Sequence, residues 1–185
     1  MGNHYHLLIE ITEANLSDGM QELNGKYARG FNERTGRDGC VFGARFWSRR
    51  VTTDRYFHAA VRYINLNPVE ARFCRDPGDW RWSSHRELTG ELPGERVAVG
   101  RTLSLLGAQT GLDHRPYLDL VGSPAQDGLA YLVVRLDDLS AKERSAELAR
   151  LSGELGYSMK DIARAVNRSV RTVERWIAHG RDIRV

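Results

Sequence analysis

The chain has 185 residues and a formal net charge of +3, with 28% charged and 41% apolar residues, a composition typical of a globular protein. Its length allows one well-buried domain with a small appended one. No apolar run approaches the ~20 residues that a membrane helix needs, and nothing at the start resembles a signal peptide, so we expect a cytoplasmic protein with no membrane partner.

Charge is unevenly distributed along the chain. Residues 24–75 contain eleven basic and four acidic residues interleaved with aromatic ones, and residues 160–185 contain seven basic and three acidic residues. The segments 1–23 and 76–159 are both net acidic. Two basic blocks separated by an acidic one indicate two separate contacts with a polyanion. Arginines beside aromatic rings suit unpaired bases, although a solvated basic face over an aromatic core gives the same pattern.

The first ten residues contain a pair of histidines. His4 and His6 flank Tyr5, and in an extended strand both imidazoles would project from one side as a two-pronged metal ligand. Histidines at this spacing also occur on strands without any metal. A four-ligand zinc site with Cys40 and Cys74 is a further alternative, although these cysteines lack the usual zinc spacing.

Two elements are predicted next. Residues 16–34 form a helix, because five apolar residues recur there at steps of three and four: Leu16, Met20, Leu23, Tyr27 and Phe31. After a glycine-containing turn, residues 40–51 predict a strand, because aromatic and β-branched residues alternate there with basic ones. We expect its three arginines to face nucleic acid: Arg45, Arg49 and Arg50.

A second helix is predicted from Asp54. Its buried face is marked by apolar residues at i, i+3, i+4 and i+7: Phe57, Ala60, Val61 and Ile64. Pro68 disfavours helical geometry at Asn67, so the helix is expected to stop there. Tyr63 and Asn67 stand at i and i+4, which places a phenol and an amide oxygen on one face. A tyrosine at the core edge followed by a helix-terminating Asn-Pro is the alternative interpretation.

Four segments together resemble a known family. They are, in chain order, residues 2–8 (GNHYHLL), 42–49 (FGARFWSR), 62–69 (RYINLNPV) and 79–84 (DWRWSS). They are similar to the single-tyrosine HUH transposases, and most similar to the REP-associated tyrosine transposases. The resemblance covers residues 2 to about 90.

The resemblance implies the chemistry. On this resemblance, His4, His6 and Asn67 are the ligands of a divalent metal ion. An open site with nitrogen and oxygen donors suits Mg²⁺ or Mn²⁺. Tyr63 becomes the nucleophile, with Tyr56 as the next candidate, and Arg62 joins the arginines expected to contact DNA. The implied activity is nicking and rejoining of single-stranded DNA at a hairpin-flanked site through a 5′-phosphotyrosine. No nucleotide-binding loop is present, as expected where one phosphodiester replaces another.

The implied fold for residues 1–90 is α+β, a ferredoxin-like antiparallel sheet with helices. Relatives usually have a strand and a helix before the histidine strand, so we expect either a start further upstream or a truncated gene. A truncated chain would be a non-catalytic transposase remnant that acts only as a DNA-binding protein. The oligomeric state stays open.

The C-terminal third predicts an all-α helix-turn-helix domain at 138–185, after a connecting segment at 91–137 with short helices at 97–107 and 113–121 and a linker at 122–128. Capping patterns begin at Ser140, Ser158 and Ser169. The spacing of four residues resembles helix-turn-helix domains: Ala163, Asn167, Val173 and Trp176. We expect four residues to contact duplex DNA: Arg168, Arg171, Thr172 and Arg175. A basic helical appendage used only for packing is the alternative.

Overall fold

The computed structural model describes residues 3–122, 136, 139–153, 157–166 and 168–179. The chain divides into two compact units. One is Leu7–Val51, and the other combines Met1–His6 with Thr52–Val185.

The unit Leu7–Val51 is built on helix α1, Leu16–Thr35, which confirms the helix predicted at 16–34. The helix ends at Gly36, whose φ of 62° is a left-handed conformation that glycine adopts without strain, and whose N–H bonds the Asn32 carbonyl. The Tyr27 ring packs against Phe31 and Phe42 at centroid distances of 6.1 and 5.8 Å. This aromatic cluster holds the end of α1 against the segment that follows.

The expected ferredoxin-like sheet, and with it the α+β class, is wrong for the part of the chain that the structure describes. No residue in the described ranges lies in a β-strand. The histidine segment and residues 40–51 have no strand pairing, and residues 40–51 are mostly exposed. Alternating side chains favour extended backbone, but a sheet also requires a neighbouring strand to complete its hydrogen-bond ladder. The C-terminal helices, by contrast, agree with the predicted all-α domain.

The other unit begins with helix α2, Asp54–Glu70, a 3₁₀ turn at Pro77–Asp79, and helix α3, His85–Leu88. Helices α4, Val99–Leu105, and α5, Arg115–Gly122, confirm the short helices predicted at 97–107 and 113–121. Five buried residues form the core between these helices: Val61, Leu88, Leu103, Leu106 and Tyr117. The predicted linker lies outside the described residues except for its first residue.

Helix α2 does not stop at Asn67 as predicted, but continues through Pro68 to Glu70. Pro68 lies in the last turn, where the missing N–H interrupts a single helical hydrogen bond. The helix end is still closed, because the Ala71 N–H bonds the Asn67 carbonyl and the Phe73 N–H bonds the Pro68 carbonyl, each at 2.9 Å. Asn67 therefore has helical neighbours on both sides.

Three further helices follow: α6, Ala141–Gly153, α7, Met159–Ala165, and α8, Val170–His179. The predicted caps are confirmed, since the Ser140, Ser158 and Ser169 hydroxyls each accept an N–H from three residues later, at 3.1 to 3.3 Å. Eight buried residues form the core: Leu136, Leu148, Leu151, Ile162, Ala163, Val166, Val173 and Ile177. The Trp176 ring packs against it, and Asn167 lies outside the described residues.

Candidate active site and nucleic-acid interface

Helix α2 carries two of the predicted active-site residues. The helix begins where the Thr53 hydroxyl accepts the Tyr56 backbone N–H at 3.2 Å. Its apolar residue Val61 enters the core shared with α3, α4 and α5. Tyr63 and Asn67, one turn apart, are 4% and 7% exposed. Both polar groups are therefore held in a largely water-excluded setting.

The histidine segment packs against these two residues. Nε2 of His6 lies 3.0 Å from Nδ2 of Asn67, although the two residues are 61 positions apart. The His6 ring meets the Tyr63 ring edge-on at a centroid distance of 5.3 Å. The His4 ring meets the His6 ring, also edge-on, at 5.0 Å. The structure thus brings together all four residues that the sequence assigned to the active site.

Hydrogen bonds define the free ring nitrogen of His4. Its Nδ1 lies 2.7 Å from Oδ1 of Asn3. With the Asn3 amide in this orientation, its oxygen accepts the hydrogen bond and Nδ1 is the protonated nitrogen. In the neutral imidazole, Nε2 then has its lone pair available, the arrangement that metal-binding histidines require.

The 3.0 Å separation of His6 and Asn67 is that of an ordinary hydrogen bond, and it also equals the distance between two neighbouring ligands of one ion. Two neighbouring ligands about 2.1 Å from an octahedrally coordinated ion lie about 3.0 Å apart, which is the separation observed here. A half-turn of the Asn67 amide exchanges its nitrogen and oxygen, so the oxygen would then face His6 Nε2. With Nε2 of His4 as a third donor, these residues would give the mixed nitrogen and oxygen donor set that the resemblance implies.

The zinc alternative finds no support in the described ranges. They contain no group of three or more His, Cys, Asp and Glu side chains placed to hold a metal ion. Cys40 is exposed. Burial raises the pKa of the Cys74 thiol, as do the nearby carboxylates Asp79 and Asp76. A raised pKa disfavours the thiolate that zinc binds.

Two residues that orient α2 escaped the sequence analysis. Asn65 is buried, and its Nδ2 donates to the Val61 carbonyl at 2.9 Å. The Ser84 hydroxyl donates to Asn65 Oδ1 at 2.8 Å. Asn65 lies between Tyr63 and Asn67 along the chain, so this bond fixes the rotation of the helix about its axis. The Trp-Ser-Ser motif that contains Ser84 was the available signal.

Arg62 is directed toward protein rather than solvent. Its Nη1 donates to the carbonyls of Leu120 and Val121 in the last turn of α5. Burial lowers the pKa of its guanidinium, and the carboxylate of Glu70 opposes that shift. A cation bonded to helix C-terminal carbonyls also complements the helix dipole. The geometry gives Arg62 a role in holding α5 against α2.

Helix α8 presents the predicted basic surface. Arg168, Arg171 and Arg175 are exposed, and Thr172 is half-buried. Val173 is fully buried on the opposite face of the helix. The first turn is fixed by the Ser169 hydroxyl, which accepts the Thr172 backbone N–H at 3.1 Å. Arg171 and Arg175 therefore project from a capped helix, and Arg168 lies just before its start.

Of the three arginines predicted in the other unit, Arg49 lies beside an exposed tryptophan. Arg45 and Arg50 are exposed, and Arg49 is half-buried. The Arg49 guanidinium carbon lies 5.5 Å from the centroid of the Trp47 ring, which is 62% exposed. This pairing of cation and aromatic ring agrees with a nucleic-acid surface but belongs to a unit described separately from the histidine site.

A comparison with protein families assigns the C-terminal helices. Residues 138–180 match the homeodomain-like domain family. No curated protein and no solved structure matches the chain. No helix in the described part of the chain is long and apolar enough to cross a membrane. The match, the three capped helices and the exposed arginines of α8 together indicate a DNA-binding helix-turn-helix domain at residues 138–180.

Proposed function

We propose that this protein nicks and rejoins single-stranded DNA through Tyr63, while its C-terminal domain binds duplex or hairpin DNA. The observation that carries the proposal is the 3.0 Å approach of His6 Nε2 to Asn67 Nδ2 beside the Tyr63 ring. Polar side chains from distant segments that meet beside a buried tyrosine form a candidate functional site. The sequence segments that contain these residues also resemble the HUH transposases.

The reaction exchanges one phosphodiester for another. The Tyr63 phenol oxygen attacks phosphorus, its proton is released, and the bond from phosphorus to the 3′ oxygen breaks. The 3′ oxygen takes a proton, and the 5′ phosphate stays on the tyrosine. Rejoining reverses these steps with a 3′-hydroxyl as nucleophile, so no nucleotide is consumed. Helix α2, fixed by the bond between Asn65 and Ser84, holds the phenol in place.

The phenol alone is a weak nucleophile at neutral pH, because its ordinary pKa is about 10. A divalent ion held by His4, His6 and Asn67 would orient the phosphate and neutralise charge that develops on it. The edge-on contact of the His6 and Tyr63 rings places this ligand beside the proposed nucleophile. The chain thereby supplies both the ligands and the attacking group from one compact region.

The test is formation of a covalent complex. Purified protein would be incubated with Mn²⁺ and labelled single-stranded DNA containing the hairpins that flank its gene, then separated on a denaturing gel. We expect a shifted band that disappears with chelator and in Tyr63→Phe but persists in the matched control Tyr56→Phe. A band that persists in Tyr63→Phe would contradict the assignment of the nucleophile.

A second candidate is a DNA-binding protein without catalysis. It is favoured by the 4% exposure of Tyr63, since a phosphodiester must displace neighbouring groups to reach the phenol. It requires only the homeodomain-like segment. In this case the protein would shift duplex DNA on a native gel but yield no covalent band with any single strand or metal.

A further inference from the structure

The segment that follows α2 exposes large aromatic rings. Phe73 is 52% exposed and Trp82 is 71% exposed. The Phe73 ring stacks on Trp80 at a centroid distance of 5.5 Å and an interplanar angle of 30°. The Arg81 guanidinium carbon lies 4.4 Å from the centroid of the Trp82 ring. We call these four residues the aromatic platform.

The aromatic platform is fixed to α2 at both ends. At one end, the Phe73 N–H donates to the Pro68 carbonyl in the last turn of α2. At the other end, the Ser83 hydroxyl donates to the Trp80 carbonyl at 3.2 Å, and the neighbouring Ser84 hydroxyl donates to Asn65 of α2. These bonds attach the backbone of the segment to the helix that carries Tyr63 and Asn67.

Charge around the aromatic platform suits an anion. Arg72, Arg75 and Arg81 are exposed and lie within ten residues of one another along the chain. Asp76 and Asp79 offset two of these three positive charges, which leaves the segment net positive, and the Asp76 carboxylate also accepts the Gly78 N–H at 2.7 Å. Exposed aromatic rings with arginine beside them are the surface on which unpaired bases stack while phosphates meet the cations.

We propose that the aromatic platform binds the unpaired DNA strand next to the scissile phosphate, with bases stacked on Trp82 and on Phe73. The proposal rests on the proposed function, because it supplies the strand that Tyr63 would cut. Stacking is tolerant of base identity, so the aromatic platform would contribute affinity and register without reading sequence. Duplex DNA hides its base faces and would gain nothing from these rings.

The test measures binding separately from cleavage. A labelled oligothymidine and a duplex would be titrated, at one fixed salt concentration, into full-length Tyr63→Phe protein, with fluorescence anisotropy as the readout. Adding Trp82→Ala or Phe73→Ala to this background should weaken oligothymidine binding about 5- to 100-fold and leave duplex binding unchanged. Trp82→Phe should retain most of the affinity. Leu112→Ala, which truncates another highly exposed apolar side chain, is the matched control.

The outcomes separate this proposal from the catalytic one. Oligothymidine affinity that stays within about twofold in both alanine variants would overturn the aromatic platform, whatever the covalent assay shows. An equal loss for duplex and single strand would also overturn it, because stacking requires unpaired bases. If the alanine variants of the aromatic platform lose single-strand binding while the wild-type protein forms no covalent band, the aromatic platform would be supported and the nuclease refuted.

Discussion

Helices α2 and α8 both carry residues connected with DNA, but they present them in opposite ways. On α8, Arg171 and Arg175 face solvent while Val173 anchors the helix in its core. On α2, the functional candidates Tyr63 and Asn67 are themselves buried. One helix offers a charged surface to a large partner, whereas the other keeps the proposed nucleophile and the proposed metal ligand among packed side chains.

This difference has a physical origin. Surface cations act over several ångströms on a polyanion, so their exact positions matter less than their number and sign. Buried polar groups need partners within hydrogen-bond distance, and these partners come from distant parts of the chain. For α2 the partners are His6 and Ser84, both outside the helix. Mutations should therefore separate the two functions.

The largest effect is expected at the histidine site. His6→Ala removes one of three proposed metal ligands, so Mn²⁺ affinity should fall by more than about 100-fold and the covalent band should disappear. Duplex binding by the C-terminal domain should stay unchanged. Metal titration calorimetry and the denaturing gel provide the two measurements.

The matched control for His6→Ala is His58→Ala, which removes a half-buried imidazole from α2 itself. We expect it to keep both Mn²⁺ binding and the covalent band. Equal Mn²⁺ affinity in wild type and His6→Ala would refute the metal site, even if the band were lost.

A core mutation in the C-terminal domain should impair duplex binding and spare the covalent reaction, the reverse of the result expected for His6→Ala. Leu148 is fully buried among α6, α7 and α8, so Leu148→Ala should lower the free energy of unfolding by about 2–5 kcal/mol. Denaturant titration would measure the loss, with exposed Lys160→Ala as control. Duplex binding should weaken while the covalent reaction with a short single strand persists. Parallel loss of both would show that α2 depends on this core, which its Tyr56 contacts.

The sequence predicts features that depend on neighbouring residues better than features that depend on distant segments. Helices α1 and α8 and the serine caps are local features, since periodicity and residues three positions apart define them. The sheet was predicted from alternation and resemblance alone, although strand pairing depends on a neighbouring segment. The roles of Ser84 and Asn65 could not be read from spacing, because 19 residues separate them. Tyr63 and Asn67 were found only because their helical spacing coincided with a family pattern.

A smaller effect is expected on α8. Arg175→Ala should weaken duplex binding about 5- to 100-fold, and should lower the salt dependence by about one counterion if the contact is a phosphate. Lys142→Ala, an exposed cation on α6, is the control for general charge. Anisotropy titrations with duplex DNA at several salt concentrations compare the two variants. Equal losses in both variants would mean that net charge, rather than the α8 surface, governs duplex binding.

The smallest effect concerns the cap of α6, which tests how locally the C-terminal domain is determined. A hydrogen bond from the Ser140 hydroxyl, and then one from its backbone N–H, hold the pKa of the Glu143 carboxyl below its ordinary value. A lowered folded-state pKa means that this contribution to stability is complete above the unfolded-state pKa of about 4.3, and is lost as the pH falls through the folded-state value. Ser140→Ala should return the Glu143 pKa toward 4.3, which carboxyl NMR titration measures. An unchanged pKa in Ser140→Ala would show that charges beyond the cap control this carboxylate, and the domain would then be less locally determined than its sequence suggests.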